Sequence, residues 1–247
     1  MLRVPRVHVE TIGNGPRVVL VHGSGNAARA WEAQRALAGR YTLVLPVRSG
    51  YPPNPPLERI DFERQAEELA PLLAGGAHLV GHSYGGVIAM LMAAGAPDRV
   101  RSLVVSEPPL LQLAPGEPAA ARLVAELTAL FEDRERTPLE HAARFVGIVG
   151  VEMDVPESLS EEDEAVTRAA MAERPPWEAE IPFAELRAAP FPKLVLSGGH
   201  SPAFDAVCDV VEERVGASRL PVPGKGHGIP RAPGYNEALA AFFEEAQ

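Results

Sequence analysis

Short apolar runs alternate with amphipathic segments along most of the chain. Seven runs predict β-strands, and the second, residues 17–21, is apolar at successive positions, which is typical of a strand buried on both faces. The predicted strands cover residues 4–11, 17–21, 41–45, 79–80, 100–105, 192–199 and 218–222. Apolar positions at helical spacing predict helices over residues 28–38, 60–73, 87–94, 204–215 and 235–245. Because strands and helices alternate, we expect an α/β fold whose mainly parallel sheet carries helices on both faces.

The alternation stops after residue 107. From 108 to 189 no run predicts a strand, and the pattern instead predicts helices over residues 119–134, 138–149, 160–172 and 175–186. Ser160, followed by Asp163, resembles the capping arrangement at a helix N-terminus. We therefore divide the chain into a core, residues 1–107 and 190–247, and a helical insertion, residues 108–189. The insertion is expected to form a cap, or lid, over the carboxyl ends of the strands. The alternative is a helical subdomain with no catalytic role.

The motif Gly81-His82-Ser83-Tyr84-Gly85 stands where a predicted strand meets a predicted helix. It fits the pattern G-x-S-x-G, in which a sharp strand-to-helix turn presents a serine hydroxyl at its tip. Glycines flank such a serine because the turn strains the backbone and leaves no room for larger side chains. The motif predicts that Ser83 is a nucleophile next to a helix N-terminus.

Two glycine-rich loops carry further candidate groups. Residues 22–26, His-Gly-Ser-Gly-Asn, follow the second strand, where a backbone N–H can turn toward Ser83; the alternative is an ordinary strand-to-helix turn. This loop lacks the Lys-Ser/Thr pair of a phosphate-binding loop. The second loop, residues 223–230, contains His227. No group of cysteines and histidines has metal-ligand spacing, so neither a metal nor another cofactor is expected.

Two other histidines are expected to have structural roles, and the role of a third is left open. His22 is expected to be a structural part of its loop that is hydrogen-bonded to backbone, and His82 is expected to pack beneath the turn that presents Ser83. His200 follows the sixth predicted strand, and it either lines the pocket or lies on a surface loop.

Together these parts resemble the α/β-hydrolase superfamily over essentially the whole chain. The matching parts are the loop after the second strand, the Ser83 turn, the insertion after the sixth strand of the family's sheet, and the late Gly-x-Gly-His loop. The resemblance implies an α/β-hydrolase fold with a helical cap. It also implies that Ser83 is the nucleophile and His227 the general base, and that the N–H groups of Ser24 and Tyr84 form the oxyanion hole.

The acid of the catalytic triad departs from the commonest pattern of this family. Many members carry an aspartate just after the seventh strand, but here Ser201 occupies that position and supplies no negative charge. Some members instead carry the acid at the end of the sixth strand, where this chain has Glu107. We predict that Glu107 is the acid. The alternatives are Asp205 on the following helix, the absence of a functional acid, and a purely structural Glu107 bonded to backbone N–H groups.

The composition narrows the classes of partner. The 247 residues carry a formal net charge of -10 at pH 7, which argues against a nucleic-acid or anionic-membrane partner. A single cysteine, Cys208, excludes an intrachain disulfide. No apolar signal region follows the first residues and no run approaches the length of a membrane span, so a cytoplasmic location is expected. A monomer and a homodimer are equally compatible with the pattern.

These features predict a serine hydrolase that cleaves a small, uncharged or weakly polar carboxylic ester through an acyl-enzyme intermediate. Lactone hydrolysis is the enzymatic alternative, because members of the family with the acid after the sixth strand include lactonases. A ligand-binding protein that retains the hydrolase fold with little turnover is the alternative from another class, followed by an interaction scaffold. Apolar residues of the insertion either line a substrate pocket or form its own core: Phe131, Leu139, Phe145, Val146, Ile148, Met153, Trp177 and Phe183.

Overall fold

The computed structural model describes residues 7–133, 135–154 and 156–246, and its centre is a seven-stranded sheet. The strands are β1 (Val9–Ile12), β2 (Arg17–Val21), β3 (Thr42–Pro46), β4 (Ala77–His82), β5 (Val100–Ser106), β6 (Lys193–Ser197) and β7 (Ser218–Pro221). Their order in the sheet is β1-β3-β2-β4-β5-β6-β7. Strand β1 pairs antiparallel with β3, whereas the other pairings are parallel. The predicted mainly parallel sheet is confirmed, and residues 4–6 of the first predicted strand lie outside the described residues.

Nine α-helices occur in the described part of the chain. They are α1 (Ala27–Ala30), α2 (Phe62–Leu69), α3 (Tyr84–Gly95), α4 (Pro118–Glu132), α5 (Pro138–Val149), α6 (Glu161–Met171), α7 (Phe183–Ala188), α8 (Pro202–Val215) and α9 (Tyr235–Glu245). Short 3-10 helices cover Ala33–Gly39, Ala70–Leu73, Pro97–Arg99, Leu111–Leu113, Pro176–Glu178 and Ile229–Arg231. Over the described residues, no helix has the length and apolar character needed to cross a membrane.

The central strands separate two apolar clusters because successive side chains point to opposite faces. In β2, Val19 and Val21 belong to the cluster that also contains residues of α2, α3 and α8. Val18 and Leu20 belong to the opposite cluster, with residues of α9. All four side chains are fully buried, which explains the continuous apolar run of this strand.

Three predicted helices differ from the structure. The segment predicted as one helix over 28–38 is divided into α1 and the 3-10 helix Ala33–Gly39, with α1 capped by the Asn26 side chain. The segment predicted as one helix over 175–186 contains only a 3-10 turn before α7 begins at Phe183. Pro182 explains the break before α7, because a proline lacks an N–H and keeps the residue before it out of the helical conformation. The segment predicted as one helix over 60–73 is divided into α2 and the 3-10 helix Ala70–Leu73.

The helical insertion lies between β5 and β6 and contains α4 to α7. The insertion follows the fifth strand of this chain. That strand corresponds to the strand that the family's numbering counts as the sixth. Two backbone bridges attach it to the rest of the fold. Ile60 forms a parallel bridge with Glu173, and Val151 forms an antiparallel bridge with Gly226. Both lie near the carboxyl ends of the strands, where the predicted site residues also lie.

Candidate active site

Ser83 stands at the sharp turn between β4 and α3. Its backbone has φ 54° and ψ -126°, and its N–H donates to the Ser106 carbonyl over 2.9 Å. Glu107, directly after β5, has φ 43°. Within the described residues these are the two non-glycine positions with positive φ. Such backbone is strained for an L-residue and is concentrated at functional sites.

The glycines of the motif allow two backbones to approach closely. A Cβ built on Gly81 would lie 2.3 Å from the Gly85 carbonyl oxygen. A Cβ built on Gly85 would lie 2.2 Å from the Val21 carbonyl oxygen, so α3 starts directly against β2. Neither position accepts a side chain without a backbone shift, which gives the spacing of the motif a steric reason.

Three predicted side chains form one hydrogen-bonded chain. His227 Nε2 lies 2.9 Å from Ser83 Oγ, and His227 Nδ1 lies 2.7 Å from Glu107 Oε2. His227 is 3% exposed and Glu107 is fully buried. Because the carboxylate accepts the proton of Nδ1, Nε2 presents its lone pair to the Ser83 hydroxyl, which donates to it. This is the arrangement in which a histidine takes a proton from a serine.

The Glu107 carboxylate is ionised although it is buried. Burial raises the pKa of Glu107, but contacts with His200 and His227 outweigh burial and lower that pKa to about 2. Oxygen Oε1 accepts a hydrogen bond of 2.6 Å from the Gly198 N–H, while Oε2 faces His227. The two oxygens therefore have different partners, which holds the carboxyl group in one orientation.

The other acid candidates lie elsewhere. Ser201 is the residue before α8, and its side chain makes no capping hydrogen bond. Asp205, on α8, accepts a hydrogen bond of 3.3 Å from Arg219. The structure thus brings Ser83, Glu107 and His227 together and leaves Asp205 in a separate ion pair.

The loop after β2 presents the Ser24 backbone beside Ser83. A Cβ on Gly23 would lie 3.0 Å from Ser83 Cβ, so this loop packs directly on the turn that contains Ser83. The Gly23 carbonyl accepts hydrogen bonds from Arg48 Nη2, His22 Nδ1 and the Gly25 N–H over 2.8, 2.8 and 3.0 Å. Since the peptide between Gly23 and Ser24 is trans, the Ser24 N–H points away from these donors.

A buried ion pair supports this loop, and sequence analysis did not identify it. Arg48 is fully buried, and its Nη2 lies 2.5 Å from Glu173 Oε1. The Tyr51 hydroxyl donates to the same oxygen over 2.7 Å, and the Ser24 hydroxyl donates to Glu173 Oε2. Arg48 follows the carboxyl end of β3, which is a signal for a site residue, but Glu173 is 125 residues away in the chain. No local pattern pairs residues so distant.

Replacing Glu173 with glutamine should lower the free energy of unfolding by about 3–5 kcal/mol, because it leaves the Arg48 cation buried without an anionic partner. The matched control is Asp163→Asn, which breaks the pair with Arg29, whose side chain is 66% exposed. That change should lower the free energy of unfolding by less than about 1 kcal/mol. Urea unfolding of both variants measures the difference, and equal small losses would contradict a buried ion pair.

Two of the remaining histidines hold backbone groups. His22 donates from Nδ1 to the Gly23 carbonyl and accepts the Arg48 N–H at Nε2 over 3.0 Å, in agreement with the expected hydrogen bonding to backbone. His82 does more than pack beneath the turn: its Nε2 lies 2.7 Å from the His227 carbonyl, to which it donates. Burial lowers the pKa of His82 to about 3, so it is neutral at physiological pH.

Two cavities meet at Ser83. The inner cavity, of about 20 Å³, is lined by Ser24, Ser83, Tyr84, His227 and mostly apolar side chains, including Leu127, Phe131, Phe145 and Trp177. The outer cavity, of about 180 Å³, is lined by Ser83, His227, Phe145, Val146 and Met153 among others. Five of the eight apolar insertion residues considered above therefore line one of these two cavities, whereas Leu139, Ile148 and Phe183 line neither.

Comparison with known proteins decides the family. Residues 18–242 match the family model described as "Alpha/beta hydrolase family". The chain belongs to this family. This match confirms the fold expected from the sequence, which is an alpha/beta-hydrolase fold with a seven-stranded, mostly parallel sheet.

Several relatives of this alpha/beta hydrolase are named as esterases. A pimeloyl-[acyl-carrier protein] methyl ester esterase from Aeromonas hydrophila is 37% identical over 101 residues, which cover 40% of each chain. An esterase from Mycobacterium tuberculosis is 34% identical over 138 residues, 53% of this chain and 43% of the relative. The matches thus span less than half the length of these relatives.

Solved structures match over almost the full length. An alpha/beta hydrolase from Sphaerobacter thermophilus has a TM-score of 0.68 and 25% identity, and the match covers 96% of both chains. An N-acyl homoserine lactone degrading enzyme has a TM-score of 0.66 and 21% identity, again over 96% of both chains. At this identity the second similarity concerns the fold alone.

Proposed function

We propose that this alpha/beta hydrolase is a serine hydrolase that cleaves a small, uncharged or weakly polar carboxylic ester through an acyl-enzyme intermediate. The observation that carries the proposal is the hydrogen-bonded chain from Ser83 Oγ through His227 to Glu107. A serine hydroxyl is a weak nucleophile at neutral pH, and a histidine in this position removes its proton as it attacks. The esterase names of the relatives support the same class of reaction.

In the proposed reaction, Ser83 Oγ attacks the ester carbonyl carbon while its proton moves to His227 Nε2. Glu107 accepts the Nδ1 proton as a hydrogen bond throughout and stabilises the imidazolium ion that forms. His227 then protonates the leaving alkoxide as the C–O bond breaks. A water molecule attacks the acyl-enzyme, gives its proton to His227, and releases the carboxylic acid as Ser83 recovers its proton.

The N–H groups of Ser24 and Tyr84 are proposed to bind the oxyanion of the tetrahedral intermediate. Tyr84 is the first residue of α3, so its N–H has no partner within the helix, and the helix N-terminus favours negative charge. The Ser24 N–H points away from the three donors that hold the Gly23 carbonyl. Both residues line the inner cavity with Ser83, which supports their joint role.

Residues 108–189 are proposed to act as a cap that selects the substrate, with residues 1–107 and 190–247 as the catalytic core. Phe131, Phe145 and Trp177 from the insertion enclose the inner cavity above Ser83. The apolar wall of this cavity favours an uncharged acyl group next to Ser83. The outer cavity has more room, so we propose that the alcohol part of the ester lies on that side.

The decisive experiment is covalent labelling with a fluorophosphonate probe, followed by mass spectrometry of the modified peptide. We expect labelling at Ser83 in the folded protein and none after heat denaturation. Labelled protein should lose hydrolysis of short p-nitrophenyl esters in proportion to its modification. A parallel panel of γ- and δ-lactones separates ester from lactone preference by kcat/KM. Absence of labelling in the folded protein would contradict the proposal.

A further inference from the structure

A second histidine lies against the proposed triad acid. His200 Nδ1 is 3.4 Å from Glu107 Oε1, the oxygen that His227 leaves free. It comes from the loop after β6, the loop in which Ser201 occupies the usual acid position. His200 therefore faces the other oxygen of the carboxylate, and its side chain is 17% exposed.

The contacts of His200 indicate its protonation state. Nitrogen Nε2 lies 3.2 Å from the Val149 carbonyl oxygen, which can only accept, so Nε2 carries a proton. In the neutral tautomer with that proton, the Nδ1 lone pair would face the Glu107 carboxylate. Nδ1 has no hydrogen-bond partner among the described residues, but it lies within ion-pair distance of Glu107 Oε1. That contact is attractive when Nδ1 is protonated as well, and the ring is then an imidazolium ion.

The charges around His200 agree with this assignment. Glu107 faces it from the end of β5, Asp205 from α8, and His227 from the loop before α9, with ring centroids of the two histidines 6.1 Å apart. Burial lowers the pKa of His200, but Glu107, the Val149 carbonyl and Asp205 raise it, and the net direction is upward. The imidazolium also supplies a countercharge for Glu107, which has no exposed surface.

We propose that His200 is a positioning residue for Glu107: its imidazolium ion pairs with the carboxylate oxygen that His227 leaves free and sets the charge balance around the triad. The proposal rests on the hydrolase function argued above. It gives the loop at the usual acid position a role, since that loop supplies a cation to an acid located on the neighbouring strand.

The end of α5 links the two histidines. The Val149 carbonyl accepts from His200, and the next carbonyl, that of Gly150, accepts the His227 N–H over 2.9 Å. A Cβ on Gly150 would lie 3.0 Å from the His200 ring, so the ring has little freedom to move. The insertion therefore helps to hold the cation in place beside the acid.

The expected consequence is a shift in pH dependence. A positive charge beside Glu107 opposes the uptake of a further proton by the coupled group of Glu107, His200 and His227, so Ser83 stays reactive at lower pH. Neutral substitutions of His200 should move the acidic midpoint of Ser83 reactivity upward by about one pH unit. That midpoint belongs to the coupled group of Glu107, His200 and His227 rather than to one residue.

The test compares the rate of fluorophosphonate labelling of Ser83 between pH 4 and 9 in wild type, His200→Asn and His200→Gln. The control is His78→Asn, which removes a buried histidine whose Nδ1 lies 2.8 Å from Ser102 Oγ at the other end of β4. We expect both His200 variants to shift the acidic midpoint upward, and the control to retain the wild-type midpoint. Slower labelling at every pH with an unchanged midpoint would mean a merely structural role and would overturn the proposal.

A second measurement separates this inference from the proposed function. Imidazole ¹⁵N NMR of the wild type reports the protonation of His200 directly, and Glu107→Gln should lower the midpoint of its titration. If the wild type fails to label at any pH, the hydrolase proposal falls, but the NMR titration still decides whether the ion pair exists. A His200 ring that is neutral at pH 6 in the wild type would overturn the inference.

Discussion

Replacing Ser83 with alanine should lower kcat for ester hydrolysis by about 10⁶-fold while the protein remains folded. The hydroxyl oxygen is the atom that attacks in the proposed reaction. Its proton is transferred to His227 Nε2, which lies 2.9 Å away. Any remaining rate would come from substrate binding and the oxyanion hole, which together retain about 10³- to 10⁴-fold over water in triad hydrolases.

The backbone of Ser83 provides a matched comparison. Alanine keeps the strain of φ 54°, whereas glycine adopts this conformation without a Cβ clash. We expect Ser83→Gly to be as inactive as Ser83→Ala but more stable by about 1 kcal/mol, since relief of strain exceeds the entropy cost of glycine. Steady-state kinetics and urea unfolding measure the two effects separately. An alanine variant with near wild-type kcat would remove Ser83 as the nucleophile.

Replacing Glu107 with glutamine should lower kcat by up to about 10⁴-fold. The Gly198 N–H, 2.6 Å from Oε1, will retain the amide oxygen of the new side chain. The amide NH₂ group must then face His227 Nδ1 and donate to it. This forces the histidine tautomer whose Nε2 carries a proton, so Nε2 can no longer accept the proton of Ser83.

The control for this prediction is Asp205→Asn on α8. Asp205 is the alternative acid considered from the sequence, and it lies in an ion pair with Arg219 instead of against His227. We expect Asp205→Asn to change kcat less than about threefold, a change of under 1 kcal/mol in the barrier. A large loss in Asp205→Asn together with a small loss in Glu107→Gln would reverse the assignment of the acid.

The sheet and the sharp turn at Ser83 were predictable because their signals are local. An apolar run at successive positions indicates a strand buried on both faces, and β2 has this pattern. The glycines of G-x-S-x-G are required by contacts within the turn and with β2, so a short motif was sufficient to locate it. Helix breaks were less predictable, because the helical spacing of apolar residues continues across Pro182, whereas α7 begins only after this proline.

The choice of Glu107 as the candidate acid was a weaker prediction, because the end of a strand gives little information about its neighbours in space. Glu107 was expected from its position after β5, and the structure places it against His227, which is 120 residues later in the chain. Its φ of 43°, its complete burial and its second partner at Gly198 are products of strand pairing in the sheet. None of these properties has a sequence pattern of its own.

The sequence by itself determined the fold class, the position of Ser83, and the order in which the candidate nucleophile, acid and base occur. Those features depend on side-chain periodicity and on steric limits within a few residues. Tertiary structure alone decided that Arg48 meets Glu173 beneath the Ser24 loop, and that His200 meets Glu107. Such pairs form because parallel strands bring their carboxyl ends together, and that proximity exists only after the sheet has assembled.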